Sequence, residues 1–171
     1  MPLPGSGGIA QVSGNAVAQD ALQYDGAPYI YGGAKPNGWD CSGFVNWVLG
    51  HDLNIKLPGA TKPGFNGNIH GPVVLTYANW SKAERVSKPE PGDLCIWVGV
   101  GPAGHIGIAV SPTKMISALN PSKGTLQTPI VGMGPPGAPL IFKRVGAPGQ
   151  LSNGCVPFIW IIANLLQKWS S

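Results

Sequence analysis

The sequence predicts an α+β fold, with N-terminal helices packed on an antiparallel sheet of about five to six strands. Two observations carry this. Helical spacing of apolar residues dominates the first fifty positions, whereas everything after Asp93 breaks into short aliphatic runs separated by Gly, Pro, Asn and Ser. A third observation sets the scale: 171 residues can bury a core without disulfide or metal staples, so each cysteine needs its own explanation.

The elements follow in order. Residues 1–12 read as a flexible lead, 13–146 as one domain and 147–171 as an apolar extension packed on the domain or on a partner. Ser13 and Asn15 are candidate N-caps for a first helix that places Val17, Ala21 and Tyr24 on one face, and "DGAPYIYGG" ends it. A second short helix carries Phe44, Val45, Val48 and Leu49 at i, i+1, i+4, i+5, with Gly50 at its C-terminal position and Cys41 at its start. The segment 51–92 is broken by Gly, Pro and Asn, with a short helix expected in "LTYANWSKAERV". "DLCIWVGV" and "HIGIAV" read as a hairpin joined at "GPAG", which would pair Val100 with His105 and set Cys95 opposite Val110. "KMISAL", "TLQTPIVGM" and "PLIFKRV" supply further strands, and "PFIWIIANLLQKW" a terminal helix.

Composition excludes several classes. The 26 Gly and 18 Pro punctuate periodic segments and do not form low-complexity tracts. The formal charge is +4, and no acid follows Asp93, yet the basic residues are scattered with no aromatic interleaving, which argues against nucleic-acid binding. No apolar run reaches the length of a membrane span, and the N-terminus lacks the pattern of a signal peptide, so the chain is expected to be made in the cytoplasm. Cys41, Cys95 and Cys155 match no zinc spacing; no metal and no cofactor are expected.

Cys41 is the residue with chemical promise. Unpaired N–H groups at a helix start favour a thiolate and can also hold an oxyanion, while Ser42 and Gly43 leave room for a substrate backbone. The competing account, a small buried hydrophobe, weighs equally on position alone. Cys95, between Leu94 and Ile96, reads as core, and Cys155 as structural.

A cysteine nucleophile needs a base. His51 ends the helix that Cys41 begins, about 15 Å away along the axis, and reads as its cap. His70 lies in a Gly-rich loop and reads as solvated. His105 opens a strand after a turn and is left as the partner. Its orienting group must be neutral, and Ser117 or Asn120 in "MISALN" are the candidates; they face opposite sides of a strand, so one at most can serve. "GVGPAG" matches a dinucleotide-binding glycine pattern but precedes a strand and reads as a turn.

Together, "GAPYIYGG", "WDCSGFV", "PGDLCIWVG", "GHIGIAV", "KMISALNP" and "FKRV" resemble, in order, the NlpC family of papain-like cysteine peptidases. The resemblance spans about residues 14 to 145. It implies a papain-like domain with Cys41 as nucleophile and His105 as base, and with Tyr29, Asp40 and Ser42 contacting substrate. It implies a peptidoglycan stem peptide as substrate, often cut between D-glutamate and a diamino acid. The family's third catalytic position falls on Ser117, where His, Asn or Gln is usual, so either Asn120 takes over or a serine serves. Gly32 and Gly33 then read as the cleft floor. The expected setting is a bacteriophage lysin or tail-associated peptidase acting on the cell wall, with phage tail or lysin domains as partners. The alternatives are an N-acetylmuramoyl-alanine amidase or acyltransferase on the same framework, and an inactive wall-binding tail module.

Overall fold

The computed structural model describes residues 14–99 and 104–146. The lead 1–12, the Ser13 cap, residues 100–103 with all but the last residue of the expected "GPAG" turn, Cys155 and the extension 147–171 lie outside the described residues.

Helix α1, Gly14–Leu22, turns Val17, Ala18 and Ala21 inward, and Asn15 lies within it. Gly26, at φ 90°, completes the turn that follows, a backbone conformation that costs a side chain but not glycine. A two-stranded ribbon, β1 (Ala34–Lys35) and β2 (Gly38–Trp39), leads directly into α2, Cys41–Asn46. Trp39 is fully buried, meets Tyr24 edge-on at 5.0 Å and Phe44 at 5.3 Å, and donates from its indole to Thr125 Oγ1 at 2.8 Å. Full burial of a ring of this size stabilises by about 2–3 kcal/mol, and its indole N–H has a partner.

Phe44, Val45, Val48 and Leu49 are all fully buried, as their spacing predicts, but Gly50 does not end the helix. The chain continues as a π-helical segment, Trp47–Asp52, closed by the Leu53 N–H on the Val48 carbonyl. Gly50 is needed there for packing: a Cβ would lie 2.6 Å from Phe65 Cβ and 3.0 Å from Leu57 Cδ1. His51 does not cap the helix. It stacks on Trp47 at 3.9 Å, and its Nδ1 lies 2.6 Å from Asp52 Oδ1.

Helix α3, Val74–Ala78, and strand β3, Glu84–Val86, divide the segment expected to hold a helix alone. Then come β4 (Leu94–Trp97), β5 (His105–Ala109), β6 (Lys114–Asn120), β7 (Gly124–Pro129) and β8 (Leu140–Arg144). The six-stranded antiparallel sheet runs β3-β8-β4-β5-β6-β7, which gives the α+β architecture that the sequence predicts. Leu94, Ile96, Ile106, Ile108, Ile116 and Ala118 form one core with α1 and α2. Cys95, Trp97, Ala109 and Met115 form a smaller cluster with Ile130. Cys95 is fully buried, as expected.

The register of the β4–β5 hairpin differs from expectation: Trp97 pairs with His105 and Cys95 with Gly107, because β4 ends at Trp97 and a longer connection follows. At the other end of β8, Arg144 makes a two-pronged contact with the buried Asp93, Nε to Oδ1 at 2.9 Å and Nη2 to Oδ2 at 2.8 Å. Among the described residues no helix is long and apolar enough to cross a membrane.

Candidate active site

The thiol half of the site begins with a carboxylate. Asp40, in extended conformation, is the N-cap of α2: its Oδ1 accepts from the Gly43 N–H at 2.9 Å and from the Ser42 hydroxyl at 3.1 Å. Oδ2 accepts from the Gly32 N–H at 3.0 Å, and His70 Nε2 lies 2.9 Å from both oxygens. Burial alone would raise this carboxyl, but the His70, Gly43 and Gly32 donors override it and hold it below its usual range.

Four expectations change here. Gly43 does not open space for substrate, because a Cβ would run into the Gly33 carbonyl oxygen; the gap is filled by the protein's own backbone. Gly32 and Gly33 do not line the cleft floor. Gly32 N–H and Gly33 C=O hold the Asp40 side chain and backbone from behind. Asp40 and Ser42 do border the cleft, yet their polar atoms are engaged with one another and with the protein. His70 is no freely solvated loop residue.

Cys41 opens onto a cleft of about 370 Å³ with Tyr29, Tyr31, Asp40, Ser42, Val73, Val74, Leu75, Val98 and Gly104 along its walls. The backbone N–H groups of Ile106, Ser42 and Cys41 itself are directed at the sulfur. Burial nonetheless pushes the thiol up to about 11, with the Asp40 charge adding to it and those N–H groups only partly offsetting the rise. The acidifying effect expected of the helix start is thus opposed by burial and by the Asp40 charge, and Asp40 already occupies the Gly43 N–H. Tyr29 is likewise raised, to about 12, by burial and by Cys41 and Asp40.

The imidazole half sits on the sheet. His105 is buried at the first position of β5, its ring tilted 5.8 Å from that of Trp97, and Nε2 lies 3.0 Å from Ser117 Oγ on β6. Gly107 makes this contact possible, since a Cβ there would stand 2.9 Å from Ser117 Cβ. Burial drives the imidazole down to about 4, so the ring is neutral at ordinary pH. Asn120 does not join it. Its Oδ1 accepts from Ser122 N–H at 3.1 Å, Ser122 Oγ at 2.8 Å and Lys123 N–H at 3.0 Å, fixing the turn between β6 and β7.

The two halves meet at the backbone. Gly104 lines the cleft and the Ile106 N–H reaches Cys41, so the residues on either side of His105 both touch the thiol compartment. Among the described residues, the hydrogen bond of the His105 ring goes to Ser117 and none goes to Cys41. Burial thus holds both the Cys41 thiol and the His105 imidazole toward their neutral forms.

Sequence reasoning missed His70, Val73 and Leu75 as parts of the site. Only tertiary contacts reveal them, although "NGNIHGP" did carry the glycines that such a folded-back loop requires.

Comparison with known proteins gives a consistent picture. The profile of the NlpC/P60 family matches residues 26–131. A probable endopeptidase of Haemophilus influenzae is 34% identical over 104 residues, 60% of this chain and 56% of that protein. The gamma-DL-glutamyl hydrolase of Bacillus subtilis is 30% identical over 115 residues, 64% of this chain and 24% of that protein. The chain therefore spans well under two thirds of the length of these relatives. Among solved structures, the NlpC/p60 domain of the peptidoglycan hydrolase SagA superposes with a TM-score of 0.55 at 26% identity, covering 76% of this chain and 97% of that domain.

Proposed function

Because the chain belongs to the NlpC/P60 family, we propose that it is a cysteine endopeptidase that hydrolyses peptidoglycan stem peptides, with Cys41 as nucleophile, His105 as base and Ser117 holding the base. The observation that carries this reading is the His105–Ser117 bond of 3.0 Å beside a cleft that contains Cys41. The relatives named as an endopeptidase and a gamma-DL-glutamyl hydrolase support a glutamyl amide as the bond class, which we place between D-glutamate and a diamino acid.

The chemistry follows from the protonation states. When Nε2–H donates to Ser117 Oγ, Nδ1 is left as the acceptor. As the sulfur attacks the scissile carbonyl, the S–H proton passes to Nδ1 and the C–S bond forms. The backbone N–H groups around Cys41 take the developing oxyanion. Collapse breaks the C–N bond, and the imidazolium returns its proton to the leaving amine. Burial makes that imidazolium a strong acid, which favours this second transfer. Water then adds to the thioester, its proton goes to Nδ1, and the thiol leaves protonated.

The test is digestion of purified peptidoglycan with wild-type protein and with Cys41→Ala. New amine termini between D-glutamate and the diamino acid, lost in the variant, are expected. Release of intact stem peptides from the glycan would instead assign amidase chemistry.

A second reading, a wall-binding module without turnover, is favoured by one observation: the thiol is raised to about 11 and makes no hydrogen bond to the His105 ring. Sedimentation with intact walls in the absence of any released fragment would select it.

A further inference from the structure

His70 lies 30 residues from Asp40 in sequence, in a loop with positive φ at Gly64, Gly67 and Gly71. Nevertheless its position is fixed at three points. The fully buried Asn46 of α2 donates from Nδ2 to the His70 carbonyl at 2.6 Å and to the Pro72 carbonyl at 3.0 Å. Asn46 Oδ1 in turn accepts from the Tyr77 hydroxyl at 2.8 Å, tying α3 to the same amide. Gly71 must be glycine because a Cβ would stand 3.0 Å from Asn46 Nδ2 and 2.9 Å from Phe65. This scaffold delivers Nε2 to both Asp40 oxygens at 2.9 Å, on the residue that immediately precedes Cys41.

We propose that His70 is a positioning residue of the Cys41 centre: clamped across both Asp40 oxygens, it fixes that carboxylate on the start of α2 and offsets its charge toward the neighbouring sulfur. The proposal rests on the reading of Cys41 as the nucleophile.

The ionisable groups around the pair are few. Asp40 faces His70 from α2, Cys41 and Tyr29 lie across Asp40, and Lys35 of β1 is held by Asn68 Oδ1 at 3.3 Å. The Asp40 bond raises His70 above its ordinary value, with burial opposing, so the imidazolium persists toward neutral pH. Asp40 in turn disfavours the Cys41 thiolate. A cation on Asp40 therefore works in favour of the thiolate. Its loss leaves the carboxylate charge uncompensated beside the sulfur.

The experiment measures the rate of iodoacetamide alkylation of Cys41 against pH in the full chain, read by mass spectrometry of the Cys41 peptide, for wild type, His70→Ala and His70→Gln. His70→Ala is expected to alkylate more slowly, by about threefold or more near pH 6, where the wild-type imidazole carries its charge, with the difference shrinking as pH rises and His70 gives up its proton. His70→Gln keeps a donor without a charge; it should keep the wild-type fold and show the same slower rate near pH 6. Identical profiles in wild type and His70→Gln overturn the charge role. Should His70→Ala fail to fold, His70→Gln alone decides. Alkylation needs no substrate, so a wild-type protein that cuts no wall would end the peptidase reading without touching this test.

Discussion

His105 on β5 and Ser117 on β6 are both buried, and their side chains meet at 3.0 Å across adjacent strands, Nε2 to Oγ. The contact depends on Gly107, whose missing side chain leaves the space between them. Ser117 thus stands where the base proposed at His105 would need an orienting partner, and its hydroxyl meets the ring without carrying charge. An uncharged partner gives less stabilisation to the imidazolium than a carboxylate would.

Ser117→Ala is accordingly expected to lower kcat on a stem-peptide fragment by about fivefold, the worth of one neutral hydrogen bond of about 1 kcal/mol, with little change in KM. Asn120→Ala, which touches only the β6–β7 turn, should stay within about twofold. Steady-state kinetics of the two variants checks both.

Cys41 reactivity should climb with pH and show no plateau in the neutral range. Its thiol is raised to about 11 by burial first and by Asp40 second, and only the thiolate is alkylated. The rate should rise about tenfold per pH unit until that value is approached. The same shift carries a stability sign. The folded state retains the proton longer than the unfolded chain, so stability from this group is complete below the unfolded thiol value and is lost as pH rises toward about 11. A plateau below about pH 8 would mean a preformed ion pair with His105.

Gly43→Ala tests the contact between α2 and the β1–β2 ribbon. The added methyl meets the Gly33 carbonyl oxygen, which is backbone and cannot turn aside. The expected cost is about 1–3 kcal/mol of stability in urea denaturation, together with loss of turnover as Asp40 and Cys41 shift.

Asp20 offers a gain. Burial and the neighbouring Asp52 raise its carboxyl to about 6, and Oδ2 is buried without a hydrogen-bond donor. The folded form therefore retains a proton that the unfolded chain gives up near its ordinary value of 3.8, and stability falls as pH rises through that interval to about 6. Asp20→Asn should raise the melting temperature by about 2 °C at neutral pH and leave it unchanged at acid pH, by differential scanning calorimetry.

Much of this was legible in sequence because the signals are local. The aliphatic runs after Asp93 give five strands of the observed sheet, and the spacing of Phe44, Val45, Val48 and Leu49 gives the buried face of α2. Cys41 and His105 could be named from the motifs that carry them. What escaped depends on contacts between distant segments. The π-helical turn includes Gly50, where Phe65 and Leu57 leave no room for a side chain. His70 acquires its partner only when Asn46 pulls the loop back onto α2. Ser117 and Asn120 became distinguishable once the β6–β7 turn consumed the Asn120 carbonyl. The burial and the Asp40 charge that oppose ionisation of Cys41 also escaped, because helix geometry is visible in a sequence whereas desolvation is not.

The strand order holds a consequence for how the chain assembles. Among the described residues β8 is the last strand in sequence but lies between β3 and β4, and its Arg144 neutralises the buried Asp93 at the head of β4. During synthesis the hairpins that carry His105 and Ser117 can pair locally, while β3 and β4 have no common neighbour until residues 140–144 emerge. A fragment cut before Leu140 would retain every residue proposed for catalysis and yet leave a buried carboxylate unpaired and the sheet divided in two. Residues through Arg144 are therefore needed for the sheet to close, and Val145 packs on the core just after it, so tags or fusions belong beyond that point.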